Sequence, residues 1–191
     1  MNGICHKIGG ITASVITAYT IVPEITPTVL VTSVVAGTLG SLIPDIDEPN
    51  STAGKKMKPI SNGIKFLFGH RGILHTPFFL ILVSVGLFFL LKKCPDKYLI
   101  LASQFSIFFI VGYLSHLVLD AMTPAGIMLL YPFSKNKMGF IGLKGKYRDI
   151  IVSAICILIL ILFLAFRYNI LIFQQPEALE KLSETVASFF S

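Results

Sequence analysis

At 191 residues, 54% hydrophobic and only 14% charged, the chain carries far less charge than the roughly 25% of an ordinary soluble domain. Its long apolar runs exclude disorder, collagen and coiled coil. The odd, widely spaced Cys5, Cys94 and Cys156, with no CxxC pair, exclude a disulfide framework and a thiolate zinc cage.

The net charge of +6 sits mostly between the apolar runs, where membrane proteins keep basic residues for topology and lipid headgroups, so nucleic acid is not an expected partner. A polytopic membrane protein remains.

Five apolar runs follow in chain order: Ile8 to Val22, Thr28 to Ile43, Ile73 to Leu91, Leu99 to Met122 and Ile150 to Phe166. A spanning helix needs about 20 residues, so runs three to five qualify directly. Runs one and two are shorter. Joined by Pro23-Glu24-Ile25-Thr26-Pro27, they read as a tight helical hairpin whose spans extend into flanking polar residues or thin the bilayer. Run one also has the outline of a signal peptide behind Lys7, but no A-x-A site precedes Pro23. From Pro176 onward, Leu179, Leu182, Val186 and Phe190 fall at helical spacing opposite Glu177, Glu180, Lys181 and Glu184. That pattern predicts an amphipathic surface helix. The expected architecture is therefore all-α: a membrane-embedded domain over 1–173 with about five transmembrane helices, and an amphipathic tail over 174–191.

Five crossings put the N-terminus, 44–72 and 123–149 on one side, with eleven of the 16 Lys and Arg residues. Positive-inside bias makes that side cytoplasmic.

Imidazoles and carboxylates inside apolar helices cost about 2.5–3.5 kcal/mol each on insertion scales, so each calls for an explanation. All four histidines (His6, His70, His75, His116) lie at the basic-rich end of an apolar run. Asp45 and Asp47 close run two at the same end, and Asp120 follows His116 by one turn. His116 and Asp120, at i and i+4, share one helix face, which is how helical metal sites present two ligands to one ion. Asp45-Ile46-Asp47, between two prolines, cannot be a regular helix, and alternation there would send both carboxylates the same way. His70 and His75 bring two imidazoles to the entry of run three, with Arg71 between them.

Taken singly, each residue has an ordinary explanation: an interfacial His, a helix stop at Asp45 and Asp47, a C-terminal cap at Asp120 and Thr123. Together on one face they predict a site for a divalent ion held by His6, Asp45, Asp47, His70, His75, His116 and Asp120. Imidazole with carboxylate suits zinc first, with manganese and iron as the other fits. Such an ion brings a bound water toward pKa about 7. Asp47 or Asp45 is then available to take the proton, and the Arg71 fork suits a phosphate or carboxylate on the substrate. Lys55, Lys56 and Lys58 are placed to gather anionic headgroups. The expected function is thus a metal-dependent hydrolase using membrane lipid or another phosphoester. The alternative is a non-catalytic metal-binding or metal-transporting protein, which would want ligand-type residues continuing across the bilayer, and the far halves of the runs hold none.

His6 with Gly10, Pro44-Asp45-Ile46-Asp47, Gly69-His70-Arg71-Gly72-Ile73-Leu74-His75-Thr76 and His116-xxx-Asp120-xx-Thr123-Pro124-x-Gly126 occur in that order. This set resembles the YdjM family of bacterial inner-membrane proteins, described as LexA-regulated, metal-dependent hydrolases. The resemblance covers roughly residues 1 to 150 and implies a multi-pass inner-membrane location. His116-xxx-Asp120-xxx-Pro124 also resembles a motif of the zinc-dependent phospholipase C and P1 nuclease superfamily, which implies phosphoester hydrolysis.

Overall fold

The computed structural model describes residues 1–51, 54–68, 72–140 and 147–173, together with Glu184 and Ser188. His70, Arg71, Lys144, Lys146 and nearly all of the expected tail lie outside the described residues.

The fold is all-helical. The helices are α1 (Gly3–Ile21), α2 (Pro27–Leu42), α3 (Lys58–Phe68), α4 (Pro77–Leu91), α5 (Asp96–Ala121) and α6 (Arg148–Phe173), with 3-10 turns at Pro44–Asp47, Gly54–Met57 and Ile73–His75. Among the described residues the only bridge of β type is an isolated antiparallel pair, Ile127 with Met138. Sequence sets the helix starts. The Asn2 side chain accepts from the Cys5 amide at 2.8 Å, and Thr26 and Thr76 do the same for Val29 and Phe79. Pro27 and Pro77 occupy the first helical turn, where a missing N–H costs nothing.

Among the described residues, three segments are long and apolar enough to cross a membrane: Pro27–Asp47, Asp96–Ala121 and Arg148–Tyr168. This redistributes the expected spans. Run two gains length because the Pro44–Asp47 turn continues it. Run three loses its first residues because Thr76 stands before Pro77, a position that disfavours the α conformation, so the helix is only 15 residues long. The segment 44–72 contains α3, whose Ile60 and Phe66 are exposed, as are Lys55, Lys56 and Lys58.

α4 buries none of its residues, and α6 leaves most of its Ile and Leu side chains open. A helix apolar all round and uncovered by protein is one that lipid solvates. The packed interior instead lies among α1, α2 and α5, where Ala18, Val29, Ala36 and Phe108 form one buried cluster.

These three helices meet at glycine. A Cβ on Gly10 would stand 2.6 Å from the Gly37 carbonyl oxygen, and one on Gly112 would strike the Gly37 backbone. Only a missing side chain lets the backbones come this close, the usual device of helix pairs in membranes.

Candidate functional site

Each helix of the glycine crossing carries a polar group one turn further toward the same end of the bundle. His6 precedes Gly10 by four residues, Ser41 follows Gly37 by four, and His116 follows Gly112 by four. The crossing therefore stacks the His6 and His116 rings, with centroids 3.7 Å apart and planes 17° from parallel. His75, arriving in the turn before α4, meets His116 edge-on at 5.1 Å. The Tyr113 hydroxyl donates to the Leu74 carbonyl and so ties that turn to α5.

Carboxylates close the cluster. Asp120 Oδ1 lies 3.4 Å from His6 Nε2, while its Oδ2 lies 3.6 Å from His75 Nε2 and 3.7 Å from His116 Nε2. Asp45 Oδ1 stands 3.7 Å from His75 Nε2 and 3.9 Å from His116 Nε2. Two ligand-type triads result, His6–His116–Asp120 and Asp45–His75–His116, each with its donor atoms within 4.8 Å of one another. His6, His75, His116 and Asp120 are at most 1% exposed, whereas the Asp45 side chain retains 15% exposure. The cluster thus meets its surroundings on the Asp45 side.

The outer nitrogen of His116 is hydrogen-bonded from behind, and that of His75 faces a carboxylate. His116 Nδ1 is 2.7 Å from the Ser41 carbonyl oxygen, so it is the protonated nitrogen and Nε2 faces the cluster with a lone pair. His75 Nδ1 is 3.2 Å from Asp47 Oδ2, an oxygen that also accepts from the Gly72 amide at 3.3 Å. Neither His75 Nε2 nor His116 Nε2 has a hydrogen-bond partner among the described residues, although both are fully buried. A buried ring nitrogen without a partner is costly. Two of them aimed at the same carboxylates form a donor set of imidazole and carboxylate that fits a divalent transition ion.

Of the seven residues expected as ligands, five converge, His6, Asp45, His75, His116 and Asp120, while Asp47 lies behind the His75 ring. The seventh, His70, and the substrate-binding candidate Arg71 lie outside the described residues. Asp45 and Asp47 do not point the same way. The segment is a 3-10 turn rather than extended, and it delivers Asp45 to Nε2 of His75 and Asp47 to Nδ1, on the outer side of the ring. The Ser41 carbonyl carries no side-chain signal, so sequence reasoning missed it. Tyr113, one hydroxyl among several in run four, was missed as well.

Comparison with known proteins gives the family. The family model for the YdjM inner membrane protein matches residues 1–188. The chain is 40% identical to the inner membrane protein YdjM of Escherichia coli (strain K12) over 94 residues, which is 49% of this chain and 46% of that protein, and equally so to its counterpart in Shigella flexneri. It is 35% identical over 133 residues to the uncharacterized protein YvsG of Bacillus subtilis (strain 168), covering 69% of this chain and 74% of the relative. The match spans about half the length of the Escherichia and Shigella proteins. No solved structure matches. With nearly its whole length matched by the family model, the chain belongs to the YdjM family of inner membrane proteins.

Proposed function

We propose that this protein is a membrane-embedded, metal-dependent hydrolase that cleaves a phosphoester or lipid-like substrate at the cytoplasmic surface of the inner membrane. The observation that carries this reading is the convergence of the buried, unpartnered Nε2 atoms of His75 and His116 on the carboxylates of Asp45 and Asp120.

In this reading His6, His75 and His116 supply nitrogen ligands through Nε2. Asp120 turns Oδ1 to His6 and Oδ2 to His75 and His116. A divalent ion bound there, zinc by preference, supplies an acidified water and a counter-charge for an anionic substrate. Asp47 and the Ser41 carbonyl act as positioning groups: each holds the outer nitrogen of an imidazole and so fixes which nitrogen faces the ion. Asp45, the least buried member of the set, is the carboxylate best placed to take a proton from water. Arg71 is assigned to the substrate, because guanidinium stays protonated and its fork fits a phosphate. The cytoplasmic side follows from the basic residues on this end of the bundle, of which Lys55, Lys56, Lys58, Lys135 and Lys137 are exposed.

The test is metal content of the detergent-purified protein by inductively coupled plasma mass spectrometry, alongside hydrolysis of bis(p-nitrophenyl) phosphate. We expect bound zinc, manganese or iron that the His116→Ala variant lacks, and turnover that disappears with it. Bound metal without turnover on any phosphoester would leave a metal-binding protein that is not a hydrolase. Absence of metal after purification without chelator and reloading would sink the reading entirely.

A further inference from the structure

A cavity of about 340 Å³ lies on the neighbouring face of α5, within the size range of small-molecule pockets. Its α5 wall includes Leu117 and Ala121, the residues that directly follow His116 and Asp120. Pro77, two residues after His75, forms another wall. The cavity and the imidazole–carboxylate cluster therefore share the same helix turns.

We infer that this cavity binds an acyl chain of a glycerophospholipid whose phosphate lies toward the cluster. The inference rests on the hydrolase reading above only for the role of that phosphate. Three observations lead to this occupant. Every lining residue is apolar, so nothing inside would hold a hydrophilic ligand. Two of its lining residues, Leu114 and Val118, stay 48% and 53% exposed on a helix long and apolar enough to cross a membrane, which favours entry from hydrocarbon. The loop that forms the far wall also carries the exposed Lys135 and Lys137, cations suited to an anionic headgroup.

The wall is built in advance. Gly126 takes a φ of 60°, which turns the chain so that Ile127 and Met138 exchange backbone hydrogen bonds of 3.1 and 2.9 Å. The Phe140 amide then donates to the Ala121 carbonyl at 2.8 Å and anchors the loop to the end of α5. A wall ordered by backbone bonds spares the bound chain the entropy of shaping its own pocket.

The experiment uses the full chain in dodecyl maltoside with phosphatidylglycerol carrying a diazirine near the end of one acyl chain. After irradiation, adducts are mapped by peptide mass spectrometry. They should concentrate on 114–122 and 127–140. Val118→Trp, which fills the mouth from a lipid-exposed position, should reduce adducts there roughly tenfold, the loss that accompanies unburying a couple of methylenes. Leu101→Trp, far along α5, should leave them unchanged. Adducts as dense along α4 and α6 as in the cavity would overturn the inference. So would an unlabelled cavity, the result if another part of the chain or a second copy fills it. Metal content of the same samples separates the two claims: a labelled cavity in a metal-free protein defeats the hydrolase reading alone, and bound metal with an unlabelled cavity defeats only the lipid pocket.

Discussion

The Ser41 carbonyl oxygen lies 2.7 Å from His116 Nδ1, and this one contact between α2 and α5 decides which imidazole nitrogen faces the cluster. Because the acceptor is a main-chain atom, no substitution at Ser41 removes it. Position, rather than side-chain identity, orients the ring.

Replacing the ring itself should therefore be the most damaging change at the site. His116→Ala removes the donor common to both triads. Metal affinity, measured by competition with a chromogenic chelator, should fall by more than the 10–100-fold that typifies loss of an outer partner. Near-wild-type affinity in this variant would remove His116 from the ligand set.

Asp47→Asn keeps the size of the side chain and leaves every inner donor in place. It weakens the hold on His75 Nδ1, so affinity should drop by about 10–100-fold without loss of the site. A complete loss of metal equal to that of Asp120→Asn would instead make Asp47 a direct ligand.

Ion binding should also register as stability. A ligand present at about a hundred times its Kd stabilises the folded state by roughly 2.7 kcal/mol. Adding a chelator should lower the melting temperature of the detergent-solubilised wild type, and the Asp120→Asn variant should show no such drop. An unchanged wild-type melting temperature would mean that the cluster holds no ion.

The glycine crossing yields a stability prediction with an internal control. Gly37→Ala would set a methyl against Ser14 and the Gly10 backbone, an overpacking of the kind that costs about 1–3 kcal/mol. Gly86 lies in α4 with nothing near its missing Cβ, so Gly86→Ala should be neutral or raise stability by about 0.5–1 kcal/mol. Thermal unfolding in detergent compares the two directly.

Much of this centre was legible in the sequence because its residues break a rule: imidazoles and carboxylates in apolar runs are costly, so His6, His116 and Asp120 announced themselves. The i,i+4 spacing of His116 and Asp120 placed them on one face without any tertiary information. The split between Asp45 and Asp47 was not legible, because it depends on the segment winding into a 3-10 turn, which sends residues i and i+2 to different sides, rather than running extended. Helix α3 was hidden for a different reason. Its Ile60 and Phe66 lie among lysines and a glycine, too sparse to register as an apolar run, and its register is fixed against the Pro44–Asp47 turn.

Topology can be read with a native residue. Cys94 sits in the loop between α4 and α5, at the end of the bundle away from the cluster, while Cys5 is buried. A membrane-impermeant maleimide should label Cys94 in spheroplasts, whereas Lys56→Cys, in a background with Cys94 replaced, should react only after permeabilisation. The reverse pattern would move the cluster to the periplasmic surface.

The glycine crossing also gives the bundle a short arm and a long one. From Gly112 to His116 is one helical turn, about 6 Å, whereas from Gly112 back to Asp96 is about 24 Å. If α5 tilts by about 10° about this pivot, as a helix does when bilayer thickness changes, His116 moves by roughly 1 Å and the far end by roughly 4 Å. The pivot lies nearer the chemistry than the far end of the helix, so the same tilt that swings Asp96 by roughly 4 Å moves Asp120 by about half as much and His116 by about a quarter.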